Sequence, residues 1–151
     1  SGSFCAIFWV GQRGILPGLI KSNEFISRDE GAHTDFAVLL HKKLKNKCPV
    51  DVLHDIIRDA VEIEKEFISD ALPCSLIGMN AKDMKQYIEF VANRLVIQYG
   101  YPELFPGVKN PFAFMERISL KTKTNFFEKR PTEYSQSSME KFEAEDPYAD
   151  C

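Results

Sequence analysis

Glu30 and His33 stand one helical turn apart in the run Ser27-Arg28-Asp29-Glu30-Gly31-Ala32-His33. A carboxylate and an imidazole at that spacing project from the same side of a helix. Glu-x-x-His is the unit from which two-metal carboxylate sites in helical bundles are built. Each such site takes a Glu from two helices and a Glu-x-x-His pair from two others. This chain carries one unit and no second one to complete it. The donor set, one hard carboxylate with one imidazole, suits iron or manganese, and zinc is also compatible with it. The alternative reading of the same residues is a Glu–His pair that stabilises the helix or faces another subunit.

The neighbouring residues admit further roles. Asp29 has the chemistry to accept the second ring proton of a ligating histidine from another helix, a common way of orienting such ligands. It can equally be a surface acid. Gly31 costs about 1 kcal/mol relative to Ala inside a helix, which close approach of another helix would justify. Glu64 interrupts an apolar stripe. A hydrogen bond across a helix interface is a better expectation for it than metal ligation, because Phe67 stands where a partner His would be. His41 and His54 have no ligand-like neighbours and are expected to be structural or superficial. There is no Gly-rich phosphate loop, nucleophile elbow or Cys–His pair at catalytic spacing.

The 151 residues are enough for one domain with a real core. The net charge of -3 gives no reason to expect a nucleic-acid surface. No apolar run reaches the roughly 18–20 residues that span a bilayer. Cys5, Cys48, Cys74 and Cys151 have neither zinc-site nor disulfide-scaffold spacing. Free thiols and a cytoplasmic location are expected.

The elements that must position these groups read as helices. Residues 3–10 are almost wholly apolar, as in a buried strand or helix end, and fit best as a helix interior. Gly11, Gly14, Pro17 and Gly18 break the pattern. Ser22 or Asn23 is expected to cap a helix from Asn23 to Leu44, with Ile26, Glu30, His33, Ala37, Leu40 and Leu44 turned inward. A second long helix is expected from Pro49 or Val50 to Leu72. Its stripe comprises Leu53, Ile56/Ile57, Ala60/Val61, Glu64 and Phe67/Ile68. A third should run from Ala81, capped by Asn80, to Tyr99, with Met84, Tyr87/Ile88, Val91 and Leu95 inward and Gly100 closing it. A Pro-rich connector and a short helix over Phe112–Ile118 follow. The polar, acidic terminus lacks the apolar surface to fold by itself. The fold class is all-α.

Longer strings carry a resemblance. Phe4 to Trp9, Arg13-Gly14-Ile15-Leu16-Pro17-Gly18-Leu19, and Ile26 to His33 resemble the small subunit of eukaryotic class I ribonucleotide reductases. So do Leu76-Ile77-Gly78-Met79-Asn80, Met84 to Ala92, Asn110-Pro111-Phe112 and Lys123 to Arg130. The resemblance covers about residues 1–134. It implies a ferritin-like helical bundle, here incomplete. Residues 1–120 would be the C-terminal part of the di-iron domain and residues 121–151 a flexible tail contacting the large subunit. It implies a di-iron (Fe) centre in the whole protein, with manganese an open alternative. That centre generates a tyrosyl radical for reducing ribonucleoside diphosphates to deoxyribonucleotides. The implied partners are the ribonucleotide reductase large subunit and a second small subunit in a homodimer, with no nucleic acid and no membrane.

Residue by residue, Glu30 and His33 match the family's last two metal ligands. Asp29 matches the aspartate between a ligating histidine and the radical-transfer tryptophan. Tyr134 matches the tail tyrosine that passes the radical to the large subunit. The other four ligands, the radical tyrosine and the relay tryptophan correspond to positions before Ser1, and Trp9 does not match the relay residue. The tail closes with Asp146-Pro147-Tyr148-Ala149-Asp150-Cys151 rather than the family's terminal Phe. The expectation is a small-subunit piece with half a metal site, inactive by itself and prone to self-association. A metal-free helical module pairing with an intact small subunit is the alternative.

Overall fold

The computed structural model describes residues 1–71 and 78–118. Four helices organise them: α1 (Gly2–Gly11), α2 (Pro17–Lys43), α3 (Val50–Ala71) and α4 (Ala81–Gln98). There is no strand among the described residues. The chain divides into two units, Ser1–Glu116 and Arg117–Cys151. Tyr134, Cys74, Cys151, residues 73–77 of the expected loop and the tail beyond residue 118 lie outside the described residues.

Residues 2–11 are helical, which resolves the strand-or-helix ambiguity of this apolar run. α1 is the hub. α2 packs along it, α3 and α4 pair with each other, and α1 touches both. Two glycines allow the close approach. A Cβ on Gly2 would lie 2.8 Å from Ile68 Cδ1, and one on Gly11 would lie 2.7 Å from Ile20 Cδ1. The core they close over contains Cys5, Ala6 and Phe8 of α1, Val61 and Ile68 of α3, and Met84, Ile88 and Val96 of α4. Trp9, Tyr87, Phe112 and Phe114 form an aromatic cluster beside it, with Trp9 and Phe114 centroids 5.6 Å apart and Tyr87 and Phe112 also 5.6 Å apart. Burial in this cluster pushes the Tyr87 phenol above its ordinary pKa.

α2 starts earlier than Asn23. Leu16 takes a left-handed conformation (φ 54°) and Pro17 opens the helix. Proline is well suited there because its missing N–H would have no intrahelical acceptor in the first turn. Asn23 is therefore not a cap but a buried side chain, and its amide donates to the Phe4 carbonyl at 3.2 Å. α3 begins at Val50 as expected. Asn80 caps α4 by accepting from Lys82 N–H at 2.9 Å. Gly100 (φ 88°) ends α4. Tyr101 N–H reaches Val96 O and Gly100 N–H reaches Ile97 O, the paired bonds of a Schellman motif. In α4, Ala92 and Val96 are buried, while Val91 and Leu95 are only partly covered.

The inward stripe expected on α2 is corrected by the structure. The packed side carries Ile20, Asn23, Ser27, Thr34, Val38 and His41. At 3.6 residues per turn, the expected stripe of Ile26, Glu30, His33, Ala37, Leu40 and Leu44 is centred roughly a quarter-turn away, and of these only Ala37 is partly covered. Leu19, Ile26, Leu40 and Leu44 are about half exposed. The sequence periodicity is real, but α1 takes the adjacent face. A Cβ on Gly31 would meet nothing within 4 Å, so no close helix approach among the described residues explains that glycine. α3 is likewise two-sided. Val61 and Ile68 are buried, while Val52, Ile56, Ile63 and Phe67 form an exposed stripe on the other side.

Candidate functional site

Glu30 and His33 project from the middle of α2, where continuous hydrogen bonding holds the backbone. Glu30 Oε2 lies 3.5 Å from His33 Nδ1, and the two side chains are 57% and 74% exposed. Thr34 Oγ1 donates to the Glu30 carbonyl at 2.9 Å. The pair is therefore together, as the spacing requires, but in water rather than buried. Asp29 is also exposed, and its Oδ1 lies 3.9 Å from Arg28 Nε. Asp29 precedes His33 by four residues and so flanks it along the helix. Among the described residues no group of three His, Cys, Asp or Glu side chains converges on one point. Glu30 and His33 therefore offer one carboxylate and one imidazole from a single helix face, with no third such side chain beside them among the described residues.

Glu64 is committed elsewhere. It accepts from Gly2 N–H at 2.8 Å and from Ser1 Oγ at 2.9 Å. These bonds tie α3 to α1. The expected hydrogen bond across a helix interface is what this residue makes. Next to it on α3, Lys65 bridges Glu62 and Glu89, each at 2.7 Å.

The other two histidines are structural. His54 Nε2 lies 3.0 Å from the Pro102 carbonyl. His41 Nε2 lies 3.1 Å from the Tyr101 hydroxyl, which donates to the Cys48 carbonyl at 2.8 Å. Sequence reasoning left His41 as either structural or superficial, and the structure gives it the structural role. The signal available was Tyr99 and Tyr101 on either side of the Gly100 cap. It also missed Asn93, buried in α4, which clamps the following segment. Asn93 accepts from Leu104 N–H at 3.0 Å and Phe105 N–H at 2.8 Å, and donates to Phe105 O at 2.7 Å. A lone Asn amid an apolar stripe is the mark of such a clamp.

Residues 1–111 match the family model described as ribonucleotide reductase, small chain. The ribonucleoside-diphosphate reductase small chain of Nicotiana tabacum is 58% identical over 139 residues, which are 92% of this chain and 42% of that protein. The corresponding protein of Trypanosoma brucei brucei is 59% identical over 140 residues, again 92% of this chain and 41% of the relative. Among solved structures, the ribonucleotide reductase Rnr4 homodimer of Saccharomyces cerevisiae superposes with a TM-score of 0.72 at 39% identity. That match covers 85% of this chain and 40% of the yeast chain. The chain thus spans about two fifths of the length of the curated relatives it matches. The helical fold agrees with that of the family's ferritin-like bundle. On the strength of the family match and these identities, the chain belongs to the ribonucleotide reductase small-chain family.

Proposed function

We propose that this chain is the C-terminal part of a radical-generating small subunit of ribonucleoside-diphosphate reductase, with Glu30 and His33 as two ligands of its di-iron centre. One observation carries the reading: a carboxylate and an imidazole, 3.5 Å apart, stand in the middle of an apolar stripe on α2. Covering that stripe with further helices would strip water from both groups. A buried carboxylate then needs a compensating charge, which a divalent cation supplies while also taking the imidazole lone pair.

The residues divide the work. Glu30 contributes negative charge and His33 a neutral nitrogen donor. The one-turn spacing keeps both on a single rigid helix, so their separation does not depend on loop geometry. When bound, the di-iron group supplies the oxygen-dependent one-electron oxidation of a tyrosine in the whole subunit. Asp29, beside His33 on the helix, would hold the ring proton of a ligating histidine from an earlier helix and link it to the radical path. Tyr134 would carry the radical to the large subunit, against which the acidic tail docks. Manganese is a compatible alternative metal on the same donors. The assembly is a small-subunit homodimer working with the large subunit in the cytoplasm. The 151-residue chain alone is inactive, because two donors cannot hold a complete first shell.

The experiment is metal content, tyrosyl-radical signal and ribonucleoside-diphosphate reduction with a large subunit. It is run on the full-length natural protein and on its Glu30→Gln and His33→Ala variants. The expected result is loss of metal and radical in both variants with helical content unchanged. Full metal occupancy in both would refute the ligand assignment. Reduction by the 151-residue chain plus large subunit, without any other small-subunit segment, would refute the inactivity. A natural product of about this chain's 17.3 kDa, metal-free and bound to an intact small subunit, would favour the interaction-module reading.

A further inference from the structure

Three side groups meet where α2 ends. The Tyr101 hydroxyl has one proton, and at 2.8 Å that proton goes to the Cys48 carbonyl. Toward His41, at 3.1 Å, the hydroxyl must therefore accept, so His41 Nε2 carries the hydrogen. That tautomer leaves Nδ1 bare, and Nδ1 is buried with no hydrogen-bond partner. The ring is also seated edge-on against Tyr99, with centroids 4.9 Å apart and planes at 89°. Tyr99 and Tyr101 flank Gly100, whose positive φ turns the chain back toward α2.

An orphaned buried nitrogen is unfavourable, so the ring's orientation is fixed by what its other side does. α2 lies along α1 and makes only sparse contact with α3 and α4. The His41–Tyr101–Cys48 chain is a polar tie between the end of α2 and the segment leaving α4. His41 lies eight residues beyond His33, roughly 12 Å along the same helix. A helix pinned at that end has its rotation and axial position set for every residue upstream of the pin.

We infer that His41 and Tyr101 form a clasp that positions α2, and through it Glu30 and His33, for metal binding. His41 and Tyr101 are positioning residues and touch no metal. The inference rests on the metal-ligand reading above, and the test separates the two.

The test uses the full-length protein with Tyr101→Phe, His41→Ala and His41→Gln. Gln carries an N–H that can replace the one donated by Nε2, whereas Phe and Ala cannot complete the tie. Two quantities are read: hydrogen exchange over residues 34–44, and iron retained during chelator challenge. Tyr101→Phe and His41→Ala are expected to speed exchange in that segment while residues 81–98 stay protected. Both should lower apparent iron affinity about tenfold, the low end for residues that orient ligands. His41→Gln should restore both, and the melting temperature is the control for general destabilisation. Unchanged exchange over residues 34–44 in Tyr101→Phe overturns the clasp whatever the metal does. Faster exchange with unchanged iron retention, where Glu30→Gln does release iron, overturns the positioning role. If Glu30→Gln itself releases no iron, the ligand reading fails, the positioning role falls with it, and the exchange data alone judge the clasp.

Discussion

Replacing Asn93 by Ala removes every bond of the clamp between α4 and residues 104–105. Asn93 is 4% exposed, and its amide makes three hydrogen bonds, to Leu104 N–H, Phe105 N–H and Phe105 O. The backbone groups left behind are partly buried, so water can compensate some of the loss. At about 1 kcal/mol per bond the total is about 3 kcal/mol. That is a large part of a domain's usual 5–15 kcal/mol. The assay is urea unfolding of the 151-residue chain at low micromolar concentration, followed by circular dichroism. Asn93→Asp supplies the mechanistic control. Its carboxylate still accepts from the two N–H groups but faces the Phe105 carbonyl, formerly 2.7 Å from a donor, with no proton to give. Protonation restores the donor, so the buried acid's pKa is raised in the folded state. Its destabilisation therefore grows as pH rises from the unfolded value, about 3.9, through the folded one. A loss below about 0.5 kcal/mol for Asn93→Ala, or a pH-independent Asn93→Asp, would refute the clamp.

Gly2→Ala should destabilise by about 1–3 kcal/mol, because the new methyl meets Ile68 Cδ1 at 2.8 Å and Ile68 is fully buried. Thermal melting reads this, and a gain in stability would show that Ile68 can yield. The exposed stripes of α2 and α3, including Ile26, Leu40, Ile56, Ile63 and Phe67, should drive self-association of the isolated chain. A monodisperse monomer by light scattering at increasing concentration would count against that.

Much of the helical organisation was legible along the chain because it is set by local signals. Asn80 and Gly100 mark the ends of α4 through hydrogen bonds to neighbours in sequence, a side-chain cap at one end and paired backbone bonds at the other. The start of α2 was misplaced because Pro17 and Gly18 read as breakers, although proline is favourable in a first helical turn. The Glu30–His33 pairing was likewise local, a consequence of helical pitch alone.

What only the tertiary structure decided is which side of each helix is covered. α2 has an apolar stripe and an adjacent side of smaller and polar residues, and α1 packs on the latter, where Gly11 lets Ile20 approach and Asn23 reaches Phe4. Periodicity reports that a stripe exists, but burial depends on the shape and hydrogen bonding of what it meets. The same holds for Glu64, whose partners at Ser1 and Gly2 lie more than sixty residues away. It holds too for His41 and Tyr101, joined across sixty residues by the packing of helices that neither residue reveals alone.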